Sequence, residues 1–232
     1  MTDGRAIGNV LITGGGSGLG AAVATAVHEA GGRPIVLDVN TSGIDWPDVH
    51  EVDVADGVDV EWTIGRILAE VRQLDAVVTA AGIDRPGDFE DVSAEEWERV
   101  VAVNLFGTAS VVRAAMPALL ASHGRAILIA SSLSLRALPA ASAYCASKFG
   151  LVGFARALAQ ETRGRMGVTT VFPAGMDTPF FDGREAQYRP GPDAHLIDPA
   201  AVAEAIVFAM RRPQGVELRE LVICPDDEPS WP

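Results

Sequence analysis

Val10-Leu11-Ile12-Thr13-Gly14-Gly15-Gly16-Ser17-Gly18-Leu19-Gly20 is the stretch that decides the fold. Three apolar residues run straight into a glycine-rich turn, and the turn runs into a helical pattern extending from about Gly18 to Ala30. Glycines at such a junction permit a tight turn and a close approach of backbone to a pyrophosphate, while the helix beyond supplies free amides and positive potential. A glycine-rich turn alone carries little information. Its place at the first strand-to-helix junction is what makes it a dinucleotide-binding signal, with Gly14, Gly16, Ser17, Gly18, Leu19 and Gly20 as candidate contacts.

Working outward, short apolar runs alternate with longer helical patterns. The runs are Ile35 to Leu37, Ala76 to Val78, Ile127 to Ile129, Val168 to Phe172 and Leu221 to Ile223. The remaining helical patterns cover Gly57 to Arg72, Ser93 to Ser122, Ser142 to Arg163 and Asp198 to Arg211. Strands apolar on both faces belong in a parallel sheet covered by helices, and their alternation with helices is the βαβ signature. The expected fold class is therefore α/β: a single-domain Rossmann fold over residues 1–232, with a doubly wound parallel sheet of about seven strands. Asp198-Pro199 is a helix start, the aspartate capping orphan amides and the proline sitting where its missing N–H does no harm. The connection from Asp38 to Asp53 is too lean for a full helix and reads as mostly loop. Residues 179–197, with Gly183, Pro190, Gly191 and Pro192, form the one long weakly patterned segment and read as a substrate lid.

Composition narrows the function. The 232 residues carry 18 basic against 31 acidic side chains, a formal charge of −13. With no basic cluster to reverse that field, nucleic acid is not an expected partner. No window holds the 18 or more uncharged apolar residues of a membrane helix, and the N-terminal stretch lacks a signal peptide's apolar core. A cytoplasmic protein is expected. Cys145 and Cys224 are too few and too far apart for a disulfide framework or a zinc site, so no metal is expected.

Asp38 ends the second strand about twenty residues after the glycines, where a carboxylate accepts hydrogen bonds from adenosine ribose hydroxyls. It also opposes a 2′-phosphate: at ~4 Å and an effective dielectric near 20, like charges repel by about 4 kcal/mol. NAD is accordingly expected over NADP. The alternative is that Asp38 merely opens a turn with Asn40. Tyr144 and Lys148 stand four apart in a helical pattern and project from one face, among the small residues Ala143, Cys145, Ala146 and Ser147. A phenol titrates near pH 10; bringing it to neutrality asks for about 4 kcal/mol, much of which a neighbouring ammonium can supply. Tyrosine then serves as general acid or base at a substrate oxygen. Ser131 and Ser132 end the strand Ile127 to Ala130, at the sheet edge where such folds bind ligands, and read either as substrate-orienting hydroxyls or as turn serines. Asn104, polar within the apolar run Val101 to Phe106, needs partners, which water or backbone groups near the site would provide.

Together these residues resemble the short-chain dehydrogenase/reductase family over nearly the whole chain, from Val10 to about Ile223. TGGGSGLG is similar to that family's TGxxxGxG cofactor loop. Asp53-Val54 resembles the pair whose aspartate meets the adenine amino group. Ala80-Ala81-Gly82 resembles the NNAG segment, with Thr79 and Ala80 standing for its asparagines and weakening the strand-bracing bonds. Val103-Asn104 and Tyr144-x-x-x-Lys148 match the active-site segments, and a serine thirteen positions before the tyrosine selects Ser131. Pro173-Ala174-Gly175-Met176-Asp177-Thr178-Pro179 resembles the stretch that holds the nicotinamide carboxamide, with Ala174 replacing a glycine. The resemblance makes Pro173, Gly175, Met176 and Thr178 cofactor contacts. It implies that Tyr144 exchanges the proton, Ser131 holds the substrate oxygen, Lys148 binds the nicotinamide ribose and lowers the tyrosine pKa, and Asn104 supports a water relay.

The leading expectation is hydride transfer between NAD(H) and a small to medium secondary alcohol or ketone, by a homotetramer or homodimer assembled through residues 102–122, 142–163 and the final strand. In the lid, Phe180, Phe181 and Tyr188 beside Arg184 and Arg189 suit an apolar substrate with an anionic end, such as a hydroxyacyl thioester; the aromatics equally suit a lid core of their own. Two alternatives are an NADPH-dependent biosynthetic ketoreductase, opposed by Asp38, and a catalytically silent NAD-binding regulatory or scaffold protein, opposed by the presence together of Ser131, Tyr144, Lys148 and Asn104. The acidic tail from Asp226 to Pro232 offers Trp231 as an interface anchor or simply frays.

Overall fold

The computed structural model describes residues 4–227. Glu228 to Pro232, including Trp231, lie outside the described residues, so the reading of Trp231 as an anchor is not addressed. Seven strands form one sheet: β1 (Asn9–Thr13), β2 (Arg33–Asp38), β3 (Val49–Glu51), β4 (Ala76–Thr79), β5 (Arg125–Ile129), β6 (Gly167–Pro173) and β7 (Glu220–Ile223). Their order is β3-β2-β1-β4-β5-β6-β7, and every adjacent pair is parallel. The chain reverses its direction of winding between β1 and β4, and that reversal opens a crevice at the carboxyl ends of those two strands.

Both faces of the sheet are buried, which is why the strands read as unbroken apolar runs. Along β1, Val10 and Ile12 pack with Val23 and Val27 of α1 (Gly18–Glu29) and with Val202 and Ile206 of α6 (Pro199–Met210). Leu11, between them, faces the opposite layer, built from α2 (Gly57–Glu70), α4 (Thr108–Ser122) and α5 (Ser142–Glu161). Asp198 caps α6 through the Ala200 amide, with Pro199 in the first turn.

Three features refine the sequence reading. The connection after β2 is loop from 39 to 48, and it leads into the three-residue edge strand β3, whose polar His50 and Glu51 hid it from an apolar-run search. The expected single helix over Ser93 to Ser122 is α3 (Ala94–Val101), a π-helical segment at Ala102–Gly107, and α4. Its start is a capping box in which Ser93 and Glu96 satisfy each other's amides. By length and composition this run is apolar enough to cross a membrane. In the fold, however, Val111, Val112, Ala115 and Leu119 of α4 are core residues. Finally, residues 179–197 hold two 3₁₀ turns, Pro179–Phe181 and Ala186–Tyr188. Their base is clasped where Met176 bridges Ile197, the Asp177 amide donates to the Ile197 carbonyl, and the Ile197 amide donates to the Gly175 carbonyl.

Candidate active site

A cleft of ≈ 530 Å³ lies over the crevice between β1 and β4. Every residue read from the sequence as a catalytic or cofactor contact lines it except Gly16 and Asn104; of the lid residues, Phe180, Phe181 and Arg184 line it and Tyr188 and Arg189 do not. At one end, Gly14 adopts φ +67°, and a side chain there would drive Cβ to 2.7 Å from the Ala81 Cα. The neighbouring Gly20 has no room either, its Cβ falling 2.0 Å from the Gly14 carbonyl oxygen. These glycines let β1, α1 and the β4 loop close on one another. Ser17 stands at the N-cap of α1 but makes no side-chain capping bond. The first amides of α1 are therefore left for a ligand, and Gly18 abuts Thr178 across the cleft. This is a cradle for a pyrophosphate, and the chain's residues fit a dinucleotide.

Asp38 takes the turn role considered for it. One carboxylate oxygen accepts from the Gly16 amide at 2.8 Å and the other from the Asn40 amide at 3.0 Å, so it opens a turn and also ties β2 to the glycine loop. It lines the cleft beside Val39. Asp53 accepts from the Ala55 amide and pairs with Arg99 at 2.7 Å. Burial works to raise its pKa, but the Ala55 amide and the Arg99 guanidinium prevail and hold it below the usual carboxylate range. Arg99, also in the cleft wall, had no signal in the sequence to link it with Asp53. Thr79, standing where the family has asparagine, leaves its buried Oγ1 without a hydrogen bond; bracing falls instead to Thr13, whose Oγ1 accepts from the Ala81 amide at 3.1 Å.

At the other end, the turn just beyond β5 delivers Ser131 and the first two turns of α5 deliver Tyr144 and Lys148. The Ser131 hydroxyl accepts from the Leu133 amide at 3.1 Å and stands near enough to the Tyr144 phenol to pull its pKa down. Lys148, only 4% exposed, donates from Nζ to the Ile129 carbonyl at 2.7 Å and lies 5.6 Å from the centre of the Tyr144 ring. Asn104 is fully buried behind this group. Its Oδ1 accepts from the Ile83 amide at 2.9 Å, while Nδ2 donates to the Ile83 carbonyl at 2.9 Å and to the Ser147 hydroxyl at 3.0 Å. From within the π-helical segment the side chain thus pins the loop after β4 to α5, and it does not line the cleft.

The electrostatics correct one expectation. Burial pushes the Tyr144 phenol up to about 12; the Ser131 hydroxyl pulls down, the Asp84 carboxylate pushes up and the Arg184 guanidinium pulls down. Burial also pulls the Lys148 ammonium down to about 8. In this arrangement burial outweighs the groups that pull the phenol down, so its pKa stands above the ordinary value and not nearer neutrality.

The lid contributes the residues least visible in the sequence. Arg184 lies over the rings of Phe180 and Phe181, 4.7 Å from each centroid, and the Phe180 ring stands 5.8 Å from that of Tyr144. Its Nη2 approaches Asp84 Oδ2 at 3.1 Å. Phe180 and Phe181 do pack edge to face as a lid core. Arg189 is spent inside the lid, donating to the Arg184 carbonyl at 2.6 Å. The carboxylate of Asp84, unremarked in the sequence, already neutralises Arg184, so this wall offers no free cation to the anionic end expected of a hydroxyacyl substrate.

A family model described as short chain dehydrogenase matches residues 8–189. The chain belongs to the short-chain dehydrogenase family, whose members are NAD(P)-using oxidoreductases. It is 34% identical over 217 residues to a D-threitol dehydrogenase of Mycolicibacterium smegmatis, covering 85% of this chain and 84% of that protein. Among solved structures it resembles an aldohexose dehydrogenase of Thermoplasma acidophilum in ligand-free form, with 26% identity, 94% and 92% coverage of the two chains and a TM-score of 0.84. An alcohol dehydrogenase of Thermococcus sibiricus complexed with 5-hydroxy-NADP shares the fold at 24% identity, 94% and 96% coverage and a TM-score of 0.82.

Proposed function

We propose that the protein is an NAD-dependent dehydrogenase that interconverts a small to medium secondary alcohol and its ketone. The observation that carries this reading is the convergence of Ser131, Tyr144 and Lys148 at one end of a cleft whose other end is a glycine cradle beside Asp38. Ser131 and Tyr144 would grip the substrate oxygen between two hydroxyls. With its pKa raised, Tyr144 holds its proton and is ready to give it to a carbonyl oxygen during reduction; in the reverse direction it must take the alcohol proton. Bound in its oxidised form, the nicotinamide ring would supply the hydride acceptor and a positive charge beside the phenol. Lys148 would meet the nicotinamide ribose, Thr178 with the Pro173 to Met176 backbone would hold the carboxamide, and Asn104 keeps the loop from Ala80 to Asp84 in place.

NAD is favoured over NADP because Asp38 faces the adenosine end and residues 13–20 contain no arginine or lysine to receive a 2′-phosphate. The names of two relatives, D-threitol and aldohexose dehydrogenase, support a hydroxylated substrate. A homotetramer or homodimer is part of the same reading: Phe106, 62% exposed, and Phe149, 45% exposed, leave apolar area for a second copy on the helical layer. Light scattering giving a monomer mass would refute that element. A cytoplasmic location completes the reading and suits two free thiols. The function is tested by reduced-cofactor formation from a panel of secondary alcohols with NAD and NADP. Turnover is expected with NAD, with Asp38→Arg shifting the preference toward NADP; faster turnover of the unaltered protein with NADP would refute the cofactor assignment.

A further inference from the structure

Asp84 and Arg184 are polar groups in the wall on the substrate side of the cleft, and neither belongs to the proton-handling set. Their side chains are 7% and 13% exposed. Asp84 is fixed from both directions: its Oδ1 accepts from the Arg85 amide at 2.8 Å, and the preceding residue, Ile83, is clamped through both backbone groups by Asn104. Arg184 is held by the two lid rings and by its own carbonyl, which accepts from Arg189. The close approach of the two groups is an ion pair without being a hydrogen bond, because Nη2 is oriented so that it is buried with no acceptor. A buried donor left this way is unfavourable, and it persists where something else compensates for it.

Resting on the reading of this cleft as an alcohol-oxidising site, we infer that the Asp84–Arg184 pair selects uncharged substrates bearing a second hydroxyl next to the reacting carbinol. A hydroxyl is both donor and acceptor, so it can give its proton to the carboxylate while accepting from Nη2. A purely apolar substituent would leave both groups desolvated and unmatched, and sites built around hydrogen bonds discriminate strongly against such analogues. A carboxylate substituent meets Asp84 as a like charge, and Arg184 is already neutralised. The pair is therefore a specificity determinant that rejects anions and monohydroxy compounds for different reasons.

The test compares kcat/KM for 2,3-butanediol, 2-butanol and 3-hydroxybutyrate with NAD. The unaltered protein is expected to prefer the diol to either of the others by about tenfold or more. Asp84→Asn keeps the shape and removes the negative charge, exposing Arg184 to an anion, so the ratio for 3-hydroxybutyrate over the diol is expected to rise by about tenfold or more. Arg184→Met is expected to bring the diol and the mono-alcohol close to parity. A gain toward the anion is a result that damaged folding does not produce. The inference is overturned if the unaltered protein prefers the anion or the mono-alcohol, or if Asp84→Asn lowers all three substrates equally. Calorimetric titration of the diol and of 3-hydroxybutyrate into the protein with NADH reads the same selectivity without turnover. If the protein oxidises none of the three, the titration alone decides the role of the pair, and the dehydrogenase reading stands or falls on the wider panel of alcohols with both cofactors.

Discussion

Replacing Asn104 with alanine removes three hydrogen bonds at once, since the side chain serves the Ile83 amide, the Ile83 carbonyl and the Ser147 hydroxyl from a fully buried position. Each ordinary intramolecular hydrogen bond is worth about 1 kcal/mol net, so the three together come to about 3 kcal/mol. Partners left without water push the figure upward, and solvent reaching the part-exposed Ile83 pulls it back. For a chain of this length, 3 kcal/mol corresponds to a fall in Tm of roughly 6–12 °C. Urea unfolding followed by far-UV circular dichroism at fixed protein concentration measures it, with an unchanged m-value expected because the core is the same. A loss below about 1 kcal/mol would refute the claim that Asn104 is the clamp between the loop after β4 and α5.

Gly65 lies inside α2 with open space where a Cβ would stand, so Gly65→Ala is expected to raise stability by about 1 kcal/mol in the same assay; a loss would mean that the outer face of α2 is covered. Lys148 titrates near 8 when folded against an ordinary value of 10.5, so between those pH values the unfolded chain binds more protons and stability rises with pH, by about 3 kcal/mol in all. Below pH 8 both states are protonated and this slope vanishes. Lys148→Met should flatten the rise between pH 8 and 10, and an identical slope in the variant would contradict the burial assigned to this ammonium. Above pH 10 the raised Tyr144 pKa acts in the opposite sense: the unfolded chain loses its phenol proton first, so stability falls as pH climbs toward 12, and Tyr144→Phe should remove that decline.

The sheet was legible because burial on both faces writes each central strand as an apolar run, as in Val10 to Ile12, and because glycines at a strand-to-helix junction have a steric reason that the Gly14 and Gly20 contacts make visible. The edge strand β3 escaped because one side of it meets solvent and its middle residue is His50. At the site, the shared face of Tyr144 and Lys148 was readable from helical spacing, since a helix converts separation in sequence directly into a common side, while the role of the pair came from the small residues around it and from the family resemblance. The Asp84–Arg184 pair was not, because the partners are a hundred residues apart and meet only when the lid folds over the end of β4. The environment of the phenol was misjudged for a related reason: sequence shows which charges are near in the chain, while burial, which raises Tyr144 and lowers Lys148, is a property of the packed structure.

The central claim is that the Tyr144 phenol exchanges the proton while the rest of the cleft binds dinucleotide. Its most direct test sets the unaltered protein beside Tyr144→Phe, measuring NADH formation from a secondary alcohol and, separately, NADH binding by fluorescence titration. Loss of one positioned acid–base group is expected to lower turnover by about 10²–10⁴-fold with NADH affinity essentially unchanged. A Tyr144→Phe protein that still turns over at a comparable rate would contradict the account.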